Sequence, residues 1–151
     1  MKELQGFVEH LLLLRGGAPL DTCHLCLLDL EDDDDDMRRI RLWICHALMC
    51  KVRVLSLTTN FIGYPDTWTA AYMDGLPLMS QHLRRLELCR VHLRARFADF
   101  SRCPTLEVLK IKECDIYVAK ILSQSLKFLS ITDICVFRCS DRVHFYAPNL
   151  V

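Results

Sequence analysis

The chain carries no net charge, with Lys plus Arg and Asp plus Glu at 19 each in 151 residues. That balance removes the general attraction on which nucleic-acid and anionic-membrane binders rely. Long hydrophobic runs are missing too. The longest purely aliphatic stretch is Leu11–Leu14, far short of the roughly 20 residues of a membrane-spanning helix. The start, MKELQGFVEH, contains acids and lacks the basic opening and small-residue cleavage site of a signal peptide. There is no G-x-S-x-G turn, phosphate-binding loop or H-E-x-x-H pair, which excludes the commonest signatures of nucleophilic, nucleotide and zinc-hydrolase chemistry. The histidines, serines and threonines suggest no nucleophile, base and orienter set, and His82, His92 and His144 are expected at the surface or rim. No catalytic residue, metal or cofactor is therefore assigned, and the chain reads as a non-enzyme.

Apolar residues, by contrast, make up 52% of the chain, enough for one sizeable core. Nine cysteines are scattered through apolar positions. In a chain that opens without a signal peptide they read as reduced thiols used as small hydrophobes, which points to the cytoplasm or nucleus.

Along the chain, Leu4, Phe7, Val8, Leu11 and Leu12 have helical spacing over 3–14, and Gly16, Gly17 and Pro19 stop that helix. Cys23–Leu30 predicts a strand whose two alternating rows are both apolar, as in a strand covered on both faces. Six acids follow, Glu31–Asp36. After them Met37, Ile40, Ile44 and Ala47/Leu48 share one helical face with Trp43 at its flank, capped by Asp35 or Asp36. Arg38, Arg39 and Arg41 can pair with the acids, which read as a solvated loop with capping duty rather than a cation site.

From Val52 onward one frame recurs: apolar, two variable, apolar, one variable, apolar, two variable, Asn/Cys/apolar, one variable, apolar. It begins at Val52, Leu83, Leu106 and Leu126, with spacings of 31, 23 and 20 residues, and a fifth start falls at Leu150. This is the leucine-rich-repeat pattern. In each frame the central run is a short strand with apolar residues pointing in and variable residues pointing out. Stacking makes the strands a parallel sheet with one continuous core. The expected architecture is an α/β leucine-rich-repeat solenoid, with the parallel sheet on the concave side and short helices or loops on the convex side. It forms a single domain over 1–151, with helix-strand-helix units over 1–50 and about four repeats over 51–151, the last truncated.

At the ninth frame position Asn60 can bond buried backbone groups, Cys114 only weakly, and Val91 and Ile134 not at all. The longest unit holds an irregular insertion, Gly63–Ser80, with room for a short helix around Thr67–Met73. Phe97–Arg102 and Tyr117–Ser123 are expected as return segments of one or two helical turns. The outward positions form three rows: Val54, Arg85, Val108 and Phe128; Ser56, Glu87, Lys110 and Ser130; Thr58, Cys89, Lys112 and Thr132. Their mixed character suits a protein-binding face. The candidate partner-binding residues are Val54, Arg85, Glu87, Val108, Lys110, Lys112 and Phe128, with Trp68 and Tyr72 from the insertion as aromatic anchors. Trp43 is assigned to packing.

Cys23-His24-Leu25-Cys26 and Cys45-His46-Ala47-Leu48-Met49-Cys50 resemble two halves of a zinc site. On a strand, however, Cys23 and Cys26 point to opposite faces, and neither half has a glycine-bearing knuckle, so no metal is assigned.

Several passages go beyond a generic repeat: FVEHLLLLRGGAPLDTCHLCL, IRLWICHALMCKVRVLSL, LPLMSQHLRRLELCRV, SRCPTLEVLKIKECDI, SLKFLSITDICVF and YAPNLV, in that order. The series resembles the leucine-rich-repeat region of plant F-box/leucine-rich-repeat proteins, especially the large grass sets, over about residues 7–151. The Ser101–Cys114 passage and the A-P-N-L ending are its most specific parts. The resemblance implies a substrate-recognition module of an SCF ubiquitin ligase, in which an F-box would recruit a Skp-type adaptor and the repeats would present a protein substrate. No F-box helices precede the repeats here, so the adaptor is a partner only if an F-box lies outside this chain. The alternative is a stand-alone or decoy binding protein. No nucleic acid or membrane partner is expected. The edge over Leu126–Ile134 is expected to be only partly covered by Val143–Tyr146, leaving a marginally stable or associating protein.

Overall fold

The computed structural model describes residue 14 and residues 18–30, 34–61, 71–72, 78–94, 98–138 and 142–151. Among the described residues, strands and a helix run in the order β1 (Thr22–Leu30), α1 (Asp34–Met49), β2 (Val54–Phe61), β3 (Ala71–Tyr72), β4 (Arg85–Cys89), β5 (Val91–Leu93), β6 (Val108–Lys112), β7 (Asp115–Ile116), β8 (Lys120–Leu122), β9 (Phe128–Thr132), β10 (Val136–Phe137) and β11 (His144–Tyr146). The class is mixed α/β with parallel sheets. The main sheet has the order β1-β2-β4-β6-β9, the second β10-β7-β5-β3, and the third β11-β8. Among the described residues the strand pairings in these sheets are all parallel. From β6 onward each turn of chain therefore contributes a strand to the main sheet, bends into the second, and returns along the third.

The frame explains why. Leu55, Leu86 and Leu109 stand in one register row, and Leu57, Leu88 and Ile111 in the next. All six are buried. Each fully buried side chain of this size contributes about 1.5–3 kcal/mol relative to exposure. Inward residues from the other two sides (Val91, Leu93, Ile116, Phe100, Ile121) join them in a single core. Helix α1 adds Met37, Ile40, Trp43, Ile44 and Ala47 to that core, so Trp43 packs as expected. Asp36 pairs with Arg39 at 3.0 Å.

Several expectations are corrected. In β1, Cys23, Leu25 and Leu27 are buried while His24 and Cys26 are exposed, so over Cys23–Leu27 one face of the strand meets solvent. The helix expected over Thr67–Met73 falls mostly outside the described residues, and its Ala71–Tyr72 portion is strand β3, paired with Val91–His92. The return segment Tyr117–Ser123 contains strand β8, because Lys120–Leu122 pairs with His144–Tyr146. Asp99, in the other return segment, bridges to Leu122 in parallel. Of Val143–Tyr146, the strand residues His144–Tyr146 pair with β8 in the third sheet rather than with β9, and Phe145 packs against the same core as Leu129 and Ile131. The helix expected over 3–14 lies outside the described residues except for Leu14.

The corner between main and second sheets is built from residues in the left-handed region: Arg90 (φ 56°), Glu113 (φ 49°) and Asp133 (φ 57°). Each follows the last residue of a main-sheet strand and turns the next inward residue into the core. Left-handed geometry costs a non-glycine residue about 1–2 kcal/mol. Ion pairs run along the same corner: Arg90 to Glu113 at 2.7 Å, and Lys112 to Asp133 at 3.3 Å.

Beneath the corner sits a ladder that differs from the expected one. Cys114 is central: its Sγ accepts from the Val91 N–H at 3.4 Å and lies 3.1 Å from the Lys112 carbonyl and 3.6 Å from that of Leu88. Burial pushes this thiol up to about 12, so it stays protonated and able to donate. In the first turn β2 runs straight on beside the long β1, so period 2 points Thr59 inward and Asn60 outward. The Thr59 hydroxyl, rather than Asn60, donates to the Arg90 backbone carbonyl of the next turn, while Asn60 Oδ1 accepts from the Arg90 side chain at 3.2 Å. In the last turn the frame slips. Thr132 pairs with Lys112 but Val136 pairs with Asp115, so one extra residue is accommodated. Ile134 is expelled to 67% exposure. Cys135 takes the ladder position, with its Sγ 3.4 Å from the Thr132 carbonyl and 3.8 Å from that of Ile111.

A second ladder lies at the opposite corner, on the polar residue just before each frame's first leucine. Thr105 Oγ1 donates to the Leu83 carbonyl at 2.9 Å, Ser125 Oγ to that of Leu106 at 2.8 Å, and Asn149 Nδ2 to that of Gln124 at 2.6 Å.

Helix α1 ends with bonds from Lys51 N–H to the Leu48 carbonyl and from Val52 N–H to that of Ala47, the paired closure of a Schellman cap. Lys51 is the left-handed residue of that cap, at φ 55°, and its side chain is exposed. Glycine would remove the Cβ clash there at the cost of some unfolded-state entropy. Lys51→Gly is expected to raise stability by up to ~1 kcal/mol, a gain of about 2–4 °C in Tm for a chain of this size, whereas Lys51→Val lowers it. Thermal melts of the two variants check this.

Candidate functional site

The outward side chains of the main sheet form the largest ordered array of varied chemistry among the described residues. Register aligns Thr22, Val54, Arg85, Val108 and Phe128 in one row, and His24, Ser56, Glu87, Lys110 and Ser130 in the next. Cys26, Thr58, Cys89, Lys112 and Thr132 make the third. The three rows expected from the frame are thus aligned residue by residue. Strand β1 extends each by one position, which the frame missed because β1 precedes the first repeat. The signal was available in the C-x-L-x-L alternation of Cys23–Leu27. Every side chain in these rows is half-buried or exposed, and Phe128 is 51% exposed.

Charge on this face is organised around Glu87. The Arg85 guanidinium donates to Glu87 Oε1 through Nε at 2.8 Å and Nη2 at 2.5 Å. Lys110 Nζ lies 3.3 Å from the same oxygen. Partial burial pushes the Glu87 carboxyl up, but hydrogen bonds and charge from Arg85 and Lys110 outweigh it and hold the carboxyl below its ordinary value. One carboxylate between two cations leaves a local excess of positive charge. Lys112 is shared by Glu113 at 3.7 Å and Asp133 at 3.3 Å. Pairs this exposed contribute only about 0–1 kcal/mol each, so their main effect is to fix side-chain direction. Val54, Val108 and Phe128 supply apolar contact beside them.

Trp68 lies outside the described residues. Tyr72 sits in β3, beside β5 of the second sheet, and so is not on a strand of the main sheet. The sequence offered these aromatics as partner anchors from the insertion, and the topology places Tyr72 in the second sheet.

His92 corrects the expectation of a surface histidine. It is buried on β5, with Nε2 3.3 Å from Asp115 Oδ2 on the neighbouring β7. Arg138 approaches the other Asp115 oxygen at 3.6 Å. Tyr117 lies against this group, its ring 5.4 Å from that of His92 and 5.5 Å from the Arg94 guanidinium carbon. The alternation of His92 with apolar neighbours gave no sign of this, because both Val91 and Leu93 are also buried. The cluster ties three turns together.

Cys23 is buried and Cys26 exposed, on opposite faces of β1. Among the described residues no group of three or more His, Cys, Asp or Glu side chains is placed to hold a metal ion. No described helix is long and apolar enough to cross a membrane. No protein-family model matches the chain, and no match is found among curated proteins or solved structures.

Removing the Asp115 carboxylate takes away a buried contact of the His92 imidazole and the charge that faces Arg138. Asp115→Ala is expected to cost at least ~2 kcal/mol, while Asp133→Ala at the exposed corner costs under ~1 kcal/mol. Chemical denaturation of both variants measures the contrast.

Proposed function

We propose that the chain is a leucine-rich-repeat solenoid whose main-sheet face binds a protein partner. The observation that carries the reading is the unbroken register of five parallel strands, which lines up Arg85, Glu87, Val108, Lys110, Lys112 and Phe128 on one solvent-facing surface. Charged groups held in fixed directions beside an exposed aromatic and two valines are what a specific protein interface uses. Repeat architectures of this kind present extended surfaces rather than reaction centres.

The resemblance to plant F-box/leucine-rich-repeat proteins refines this. In that reading the face recognises a protein substrate for an SCF ubiquitin ligase in the cytoplasm or nucleus. An F-box outside these residues would engage the Skp-type adaptor. The second reading is a stand-alone or decoy protein that binds the same substrates without recruiting the ligase. An adaptor pull-down separates the two: retention of the adaptor favours a ligase subunit, and capture of substrate without adaptor favours the decoy.

The face itself is tested by replacing Arg85, Lys110 and Phe128 together with alanine and comparing quantitative proximity labelling with the unaltered chain. Partners enriched by the unaltered chain are expected to fall at least about tenfold, the loss of one or two interface hot spots. An unchanged partner profile in a folded triple variant contradicts the proposal.

A further inference from the structure

The acids and bases in the three outward rows belong to two strands. Among the described residues the rows carry Arg85 and Glu87 on β4, and Lys110 and Lys112 on β6. Three cations stand beside one carboxylate, in a chain whose net charge is zero. β4 lies between β2 and β6, and β6 between β4 and β9. This part of the face has a strand on either side, so its exposure does not come from the end of the array.

Most ions around the face are matched one to one, but two carboxylates are shared. At the corner, Arg90 and Lys112 balance Glu113 and Asp133. Glu87 instead serves both Arg85 and Lys110 through a single oxygen. Where the same strands begin, Glu107 pairs with Lys127 at 2.7 Å, and the exposed Arg84 lies close enough to act on that carboxylate too. Each shared carboxylate leaves one positive charge uncompensated. The two surpluses are three residues of strand apart, about 10 Å, with Val54 and Val108 flanking Arg85 between them.

A single small anion cannot span that distance, whereas an extended segment bearing several carboxylates can. A nucleic acid calls for a denser cationic track and for stacking platforms, and the only aromatic side chain in the three rows is Phe128 on β9. The chain's own acidic run is engaged elsewhere: Asp34–Asp36 opens α1, and Asp36 pairs with Arg39.

We propose that the segment this face takes from its partner is acidic, an extended stretch of protein whose Asp and Glu side chains meet Arg84, Arg85 and Lys110. The inference rests on the reading of the face as a protein-binding surface, and adds the chemistry of what it selects. Charge sets which segments are accepted and how fast they arrive, while Val54 and Val108 supply apolar contact.

The test is selection of a random displayed heptapeptide library on the whole chain. Retained peptides are expected to gain Asp and Glu at least about threefold over the input, the effect of two exposed charge contacts. For a synthetic copy of the most enriched acidic peptide, Lys110→Glu should weaken binding at least about tenfold and Glu87→Gln should tighten it. Lys120→Glu, the same charge change on the third sheet, should leave it unaltered. Lys110→Gln, which keeps the size of the side chain and removes its charge, should give an intermediate loss even if the reversed variant folds poorly. Retained peptides without acid enrichment, lost in the Arg85, Lys110 and Phe128 triple variant, overturn this inference and leave the protein-binding reading standing. No retained peptide overturns both. Equal weakening by Lys120→Glu, or a thymidine oligonucleotide bound as tightly as the peptide, also overturns the inference. So does self-association of the unaltered chain that Lys110→Glu abolishes, because the face then takes a second copy.

Discussion

Everything in this molecule depends on register between successive parallel strands. One turn of the chain cannot bury its own leucines, because a five-residue strand offers only two inward positions. Leu86 and Leu88 are dry because Leu55 and Leu57 lie on one side and Leu109 and Ile111 on the other, each directly opposite. The same register that closes the core aligns the outward residues. A slip of one residue would exchange the two sets. Core and candidate surface are two consequences of one constraint.

The corners hold that register in place. Left-handed Arg90, Glu113 and Asp133 store strain that glycine would avoid, yet each carries a charge or sits within a line of ion pairs running across turns. Inside the corner, Cys114 links the Val91 amide to the carbonyls of its own and the preceding turn. A thiol is a weak donor and acceptor, but burial keeps it neutral and in place. The buried His92–Asp115 pair provides a second cross-turn tie on the adjoining sheet. It is costly to desolvate and costly to break, so it favours this stacking over shifted ones.

The sequence carried the main sheet clearly because leucine spacing reports period-2 strands directly, and all three outward rows were readable from it. It failed where tertiary pairing overrode local pattern. Asn60 fits the frame, but β2 stays paired with β1 beyond the expected turn, so Thr59 points inward in its place. Ile134 fits the frame too, but one extra residue is accommodated after Asp133, so Cys135 rather than Ile134 fills the ladder. The return segments read as one or two helical turns, and Lys120–Leu122 becomes strand β8 only because β11 lies beside it twenty-odd residues later. His92 was read as exposed because its partner, Asp115, is adjacent only once the turns stack. The fold was legible to the extent that it is local.

The most direct measurement of the stacking account is a double-mutant cycle on Leu86 and Leu109, both fully buried and directly opposite in adjacent strands. Each single change to alanine should cost about 2–5 kcal/mol. If register joins the turns into one core, the two losses couple, and the double variant departs from their sum by at least ~0.5 kcal/mol within a single cooperative transition. Additive losses, or two separate unfolding transitions, would mean that the turns do not share a core and would contradict the account.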